Sequence, residues 1–191
     1  MALLTQPTRL RLSRDDYYKM VDAGLFEDRH VELIDGELLT MSAFKNSHVV
    51  ATDKSREVLS VSFGTGYWVR AQAPLHLKDA SEPEPDVAVV KGNRSEIKQH
   101  PKSAVLIVEV SDTTLLFDQI VKSSLYAREK IRDFWIVNLI DGQLEVYRNP
   151  VIDQSRKFGY RYAQVVTLTS RQSVAPLALP GTSIRVADLL P

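Results

Sequence analysis

The chain contains no cysteine, which excludes disulfides, thiolate metal centres and a cysteine nucleophile. It lacks an excess of either charge: 24 Lys and Arg stand against 24 Asp and Glu, so any contact with a polyanion must come from a local patch. No apolar run approaches the roughly 18 residues of a membrane-spanning helix. The opening MALLTQPTRLRLSRDDYY has neither a long apolar stretch nor a small-residue cleavage site, and a soluble, cytoplasmic protein is the expectation. Glycine-rich phosphate loops and the Gly-x-Ser-x-Gly elbow of a serine hydrolase are missing as well. With no internal repeat or low-complexity tract, 191 residues at 44% hydrophobic are expected to form one domain over 1–191.

What the chain does have is clear punctuation. Ser13 precedes RDDYYKMVDAG, with acidic residues in the first turn, as in an N-capped helix that Gly24 would stop. HVELIDGELLTM sets two β-prone runs around Asp35-Gly36, a dipeptide suited to a tight hairpin. Residues 46–63 place Val49, Val50, Val58, Leu59 and Val61 at helical spacing before Gly64. YWVRAQAPLHL, DVAVVKG and SAVLIVEVS read as strands, followed by a second long helix from about Thr113 to Lys130 with Leu116, Ile120, Leu125 and Ala127 inward. IRDFWIVNL, QLEVYRNP and YRYAQVVTLTS read as further strands, the first two joined at Asp141-Gly142. This order predicts an α/β (α+β) fold with a mixed central β-sheet flanked by helices.

Glu109 stands out against that pattern. It lies late in the most hydrophobic strand, where an ionised carboxylate needs a cation, a metal or hydrogen bonds, or must take up a proton. Glu32, Glu84 and Asp86 also lie on or beside strands. Two or three carboxylates converging from neighbouring strands are the oxygen ligands that Mg²⁺ or Mn²⁺ requires, whereas each alone reads equally well as an edge charge turned to water. Asp118, Lys122 and Tyr126 are spaced by four and share one helical face. That face either holds a modest Asp–Lys pair or looks back at the end of the Glu109 strand. His48 is expected to cap or pack, Gln72 to face the same region of the sheet, and Trp68, Phe134 and Trp135 to serve the core. His30, His76 and His100 show no ligand spacing.

Taken in order, VELIDGEL, EPDVAVV, LIVEVSD, the Asp-x-x-x-Lys-x-x-x-Tyr helix and DFWIVN resemble the Uma-two family of restriction-endonuclease-like proteins, from about Tyr17 to Tyr147. PEPDVAVV and VLIVEVS, with 22 residues between Asp86 and Glu109, resemble the broader PD-(D/E)XK nuclease signature. The resemblance implies a restriction-endonuclease-like core, Mg²⁺ or Mn²⁺ held by Asp86, Glu109 and Glu32, and hydrolysis of DNA phosphodiester bonds. It also exposes a departure. The position two after Glu109, a lysine in that superfamily, is Ser111, and Lys122 on the next helix is the implied replacement, with Asp118, Tyr126, Gln72 and Ser111 in support. A homodimer is expected, because two DNA strands need two active sites. The balanced charge and the lack of a basic run favour a competing expectation, a catalytically inactive nuclease-fold module for binding or assembly.

Overall fold

Ser13 caps the first helix, α1 (Arg14–Asp22): its Oγ accepts the Asp16 N–H at 3.1 Å, and the Asp16 carboxylate accepts the Ser13 N–H at 3.0 Å. This reciprocal box satisfies two otherwise free amides. The computed structural model in which it is seen describes residues 8–41, 43–78 and 80–191, so the expectation for the first seven residues lies outside it. Among the described residues no helix is long and apolar enough to cross a membrane.

The Asp35-Gly36 signal is a hairpin of β1 (Val31–Ile34) and β2 (Glu37–Thr40). Both turn residues are left-handed, at φ 53° and 76°, as a two-residue turn of matching twist demands. At Gly36 a side chain is excluded twice over, since an added Cβ would also lie 2.8 Å from the Cβ of Arg11. This hairpin is a sheet of its own. Its ties to the rest are specific: the Glu82 N–H donates to the Leu33 carbonyl at 2.6 Å, and the Tyr17 hydroxyl donates to the Val31 carbonyl at 3.1 Å. Glu82 is wholly buried and pairs with Arg14 of α1, with His76 Nδ1 at 3.1 Å.

The central sheet runs in the order β3 (Tyr67–Ala71), β4 (Val87–Lys91), β5 (Leu106–Ser111), β6 (Asp133–Asn138), β7 (Gln143–Ile152), β8 (Tyr160–Thr169). All neighbours are antiparallel except β5 and β6, which makes the sheet mixed and the fold α+β, as the sequence predicts. A parallel pair needs a crossover, and here it is one helical stretch: α3 (Leu115–Phe117), a π-helical segment (Asp118–Lys122) and α4 (Ser123–Arg128). That stretch covers one face of the sheet, with Leu125 and Tyr126 packed on Ile107, Phe134 and Ile136. The other face is covered by α2 (Asn46–Phe63) and by the C-terminal segment, through Leu59, Phe63, Val174 and Ile184. β9 (Ser173–Val174) and β10 (Ile184–Arg185) form a second small sheet there.

Four details differ from the sequence expectation. In α2 the buried stripe is His48, Ala51, Thr52, Ser55, Leu59 and Phe63, while Val49 and Val61 are 44% and 81% exposed. In the crossover Leu116 and Ile120 are 70% and 49% exposed, and only Leu125 and Ala127 turn inward. A π turn interrupts this stretch. The Ser123 N–H reaches back five residues to the Asp118 carbonyl, so positions beyond it fall one residue out of phase with a uniform 3.6-residue repeat. The strand expected to continue through Gln72 ends at Ala71, because Gln72 turns left-handed at φ 45°. The Asp141-Gly142 hairpin is present, but β6 and β7 are joined by four residues, 139–142, of which Gly142 takes the positive φ.

Trp135 and Phe134 are buried as expected, while Trp68 is half-buried with the Arg70 guanidinium 4.8 Å from its ring. The Trp135 Nε1–H donates to Asp133 Oδ1 at 2.8 Å. Asp133 is fully buried and also accepts from Arg148 Nε at 2.8 Å and from the Leu177 N–H at 2.7 Å. One carboxylate thus fastens the C-terminal segment to the sheet. Asp133→Ala would deprive a guanidinium, an indole N–H and an amide of this acceptor, and we expect a loss of about 3 kcal/mol in urea unfolding. A change below 1 kcal/mol would show that the segment is held by its apolar contacts instead.

Candidate active site

Register brings the first two carboxylates together. Val87 of β4 lies opposite Val108 of β5, so Asp86 and Glu109, one step further on each strand, are neighbours. Each strand's backbone holds the other's side chain: the Asp86 N–H donates to Glu109 Oε2 at 3.2 Å, and the Val110 N–H donates to Asp86 Oδ2 at 2.8 Å. Glu32 arrives from the separate hairpin. Lys122, in the π segment, places Nζ 3.1 Å from Glu32 Oε1 and 3.0 Å from Glu109 Oε1. Tyr126, one turn on, donates its hydroxyl to Glu109 Oε1 at 2.6 Å.

Ser111 supports the site through Asp118. Its hydroxyl donates to Asp118 Oδ2 at 2.7 Å, and Thr114 donates to the same oxygen at 2.8 Å. The spacing of Asp118, Lys122 and Tyr126 therefore does turn all three toward the sheet, and all are buried. Gln72 is the exception among the expected residues. Its left-handed backbone leaves the side chain exposed and off the cavity wall, and only its N–H takes part, donating to the Pro85 and Asp86 carbonyls.

The electrostatics are unbalanced. Glu32, Asp86, Glu109 and Asp118 are all at least 93% buried, beside a single ammonium. Burial pushes the Glu109 carboxyl up to about 8, with Lys122 opposing and the Asp118, Asp86 and Glu32 charges adding. Burial likewise raises Glu32 and Asp118 against the pull of Lys122. Lys122 goes the other way: burial alone would lower its pKa, but Glu109, Glu32, Asp118 and Asp86 lift it well above the usual lysine value. Its charge is secure, and four carboxyl groups face this one ammonium. One oxygen, Glu32 Oε2, is buried and has no hydrogen-bond partner among the described residues.

These groups open onto a cavity of about 40 Å³, room for a few water molecules. Its walls include residues the sequence reading left aside. His48, at the start of α2, sets Nε2 3.2 Å from Asp86 Oδ2. Burial opposes its protonation, but the Asp86 contact, with Asp112 and Asp118 beyond, raises its pKa overall. Phe44 stacks on the His48 ring at 4.4 Å, and His30 Nε2 lies 2.9 Å from Glu84 Oε2. The available signal was the four-residue step from Phe44 to His48 just after the hairpin, which fits a stacked pair at a helix start. Among the described residues no three His, Asp or Glu side chains are arranged to hold an ion: the Lys122 ammonium stands between Glu32 and Glu109.

A family model described as "Uma2: Putative restriction endonuclease" matches residues 14–187. Among solved structures, the chain is similar to one titled as a "putative nuclease belonging to DUF820" from Anabaena variabilis ATCC 29413. The TM-score is 0.68 over 93% of this chain and 97% of that one, at 11% identity, a likeness of fold. No curated protein matches significantly.

Proposed function

Since the chain belongs to the Uma2 family described as "Putative restriction endonuclease", we propose that it is a divalent-cation-dependent nuclease that hydrolyses DNA phosphodiester bonds at the cavity between β4, β5 and the π segment. The observation that carries this reading is Lys122: a fixed ammonium bridging two buried carboxylates, at the end of the strand that holds Ser111 where a nuclease lysine would stand. In PD-(D/E)XK terms the cation has moved from β5 to the following helix, and Ser111 now positions Asp118.

The donor types suit a hard ion, although Glu32 and Glu109 would have to turn part of their oxygen away from the Lys122 ammonium that stands between them. The donor set is all oxygen, its four carboxyl groups outnumber the one ammonium, and among the described residues Glu32 Oε2 has no hydrogen-bond partner. Asp86 and Glu109, with Glu32 beside them, would hold Mg²⁺ or Mn²⁺, which would screen the phosphate oxygens and acidify water in the cavity. The chain's own residues do the rest. Lys122, charged at neutral pH, offsets charge developing on the phosphate and orients the attacking water. Tyr126 fixes one oxygen of Glu109, the Val110 amide and His48 fix Asp86, and Ser111 and Thr114 fix Asp118.

Incubating supercoiled and single-stranded DNA with Mg²⁺ or Mn²⁺ tests this. Cleavage is expected with either ion, none with EDTA, and none with Glu109→Gln, which keeps the side-chain shape and an acceptor for Tyr126. A protein that binds DNA but cleaves no form of it would be the binding module instead, and a Glu109→Gln variant as active as the wild type would place catalysis elsewhere.

A further inference from the structure

The cavity is too small to admit a nucleobase, so a bound nucleotide that sets its phosphate there must leave its base at the rim. What the rim offers is an aromatic ring. Phe44 is 44% exposed and belongs to none of the three hydrophobic clusters. It is nonetheless held in place: its ring lies 4.4 Å from His48 at an interplanar angle of 15°, and His30 meets it edge-on at 5.9 Å and 65°. His48 and His30 are fixed in turn by Asp86 at 3.2 Å and Glu84 at 2.9 Å. An exposed phenylalanine with no core to fill, backed on one face and braced at its edge, is a flat platform joined through one histidine to a proposed metal ligand.

We propose that Phe44 stacks the nucleobase next to the scissile phosphate, so that the site selects an unpaired nucleotide, in single-stranded or locally opened DNA, over a paired one. This rests on the nuclease reading for its phosphate and adds the form of substrate. In a duplex the faces of a base are covered by its neighbours, and the ring could reach it only after unstacking, at a cost of a few kcal/mol. A single strand presents its faces freely, and every base has one, so the contact carries no sequence preference.

The test is equilibrium binding to the whole chain in Ca²⁺, a hard cation that takes carboxylate ligands, with the probe checked for cleavage after each measurement, using a fluorescent 12-nucleotide single strand, its duplex, and the same strand with abasic sites. The expected result is about tenfold tighter binding of the single strand than of the duplex, with that margin lost for the abasic strand. Phe44→Leu, which keeps an apolar cover on His48 but no flat face, should lose about tenfold in single-strand affinity. Phe44→Trp should keep it and show emission quenched by bound DNA beyond the change seen in wild type. Equal affinity for the two strand forms, wild-type affinity in Phe44→Leu, unquenched Phe44→Trp, or no DNA binding at all would each overturn the platform. The nuclease reading fails separately. If the binding pattern holds but Mn²⁺ gives no cleavage, only that reading falls; if cleavage occurs and Phe44→Leu keeps the wild-type ratio of single-strand to duplex cleavage, only the platform does.

Discussion

Lys122→Met should cleave DNA at least about 10²-fold more slowly than the wild type, the loss found when one preorganised donor to a developing oxyanion is removed. It should also be less stable. Two buried carboxylates, Glu32 and Glu109, lose the ammonium that sits 3.1 and 3.0 Å from them, and breaking a buried pair costs about 3 kcal/mol. The pH dependence identifies the cause. A carboxyl whose folded pKa lies above its unfolded value penalises the folded state progressively as pH rises from the unfolded to the folded value. For Glu109 in the metal-free protein that window runs from 4.5 to about 8, with Lys122 holding the upper limit down. Without Lys122 the upper limit rises, so the deficit of the variant opens as pH climbs through the wild-type folded values and closes on acidification. Urea midpoints measured in EDTA between pH 5 and pH 9 would show this. A pH-independent deficit would mean that Lys122 acts through packing alone, and wild-type cleavage by the variant would remove it from the mechanism. Arginine should not restore activity, since a planar guanidinium cannot take the place of a compact ammonium between the two carboxylates.

The second large effect is expected from Asp86→Asn. The amide oxygen still accepts the Val110 N–H that Asp86 Oδ2 accepts at 2.8 Å, so β4 and β5 stay paired and the fold is retained. The anionic ligand, however, is gone. Calorimetric titration with Mn²⁺ should show an affinity at least about tenfold weaker, because a hard divalent cation depends on ligand charge, and cleavage should fall below detection. A variant that binds Mn²⁺ as the wild type does would place the ion elsewhere, and the four carboxyl groups around Lys122 would need another explanation.

Much of this was readable from the residues because it depends on local rules. Asp35-Gly36 specifies a hairpin by its backbone tolerance, Ser13 and Asp16 specify a helix start by their hydrogen bonds, and the four-residue spacing of Asp118, Lys122 and Tyr126 survives as one buried face. What failed depends on contacts that local patterning does not encode. The π turn is a choice among backbone acceptors made by a packed helix, and nothing in the DQIVK stretch announces it. His48 reads as a helix-start residue until α2 is packed against the sheet so that its ring meets Asp86, 38 positions away. Gln72 looked like the next residue of a strand, and only its left-handed backbone takes it out of the site.

The site is also divided between two hydrogen-bonded units. Asp86 and Glu109 belong to the six-stranded sheet, whereas Glu32, one of the two anions that grip Lys122, rides on a hairpin of two four-residue strands. An isolated hairpin of that size is marginal in water. It is retained here by its surroundings: β1 is buried along its whole length, Ile34 and Leu39 pack into the main core, the Gly36 N–H donates to the Ala80 carbonyl at 3.0 Å, and the Asp35 N–H donates to Ser81 Oγ at 2.9 Å. Lys122 is therefore also a clasp between the two units: one ammonium holds an anion of the hairpin and an anion of the sheet at once.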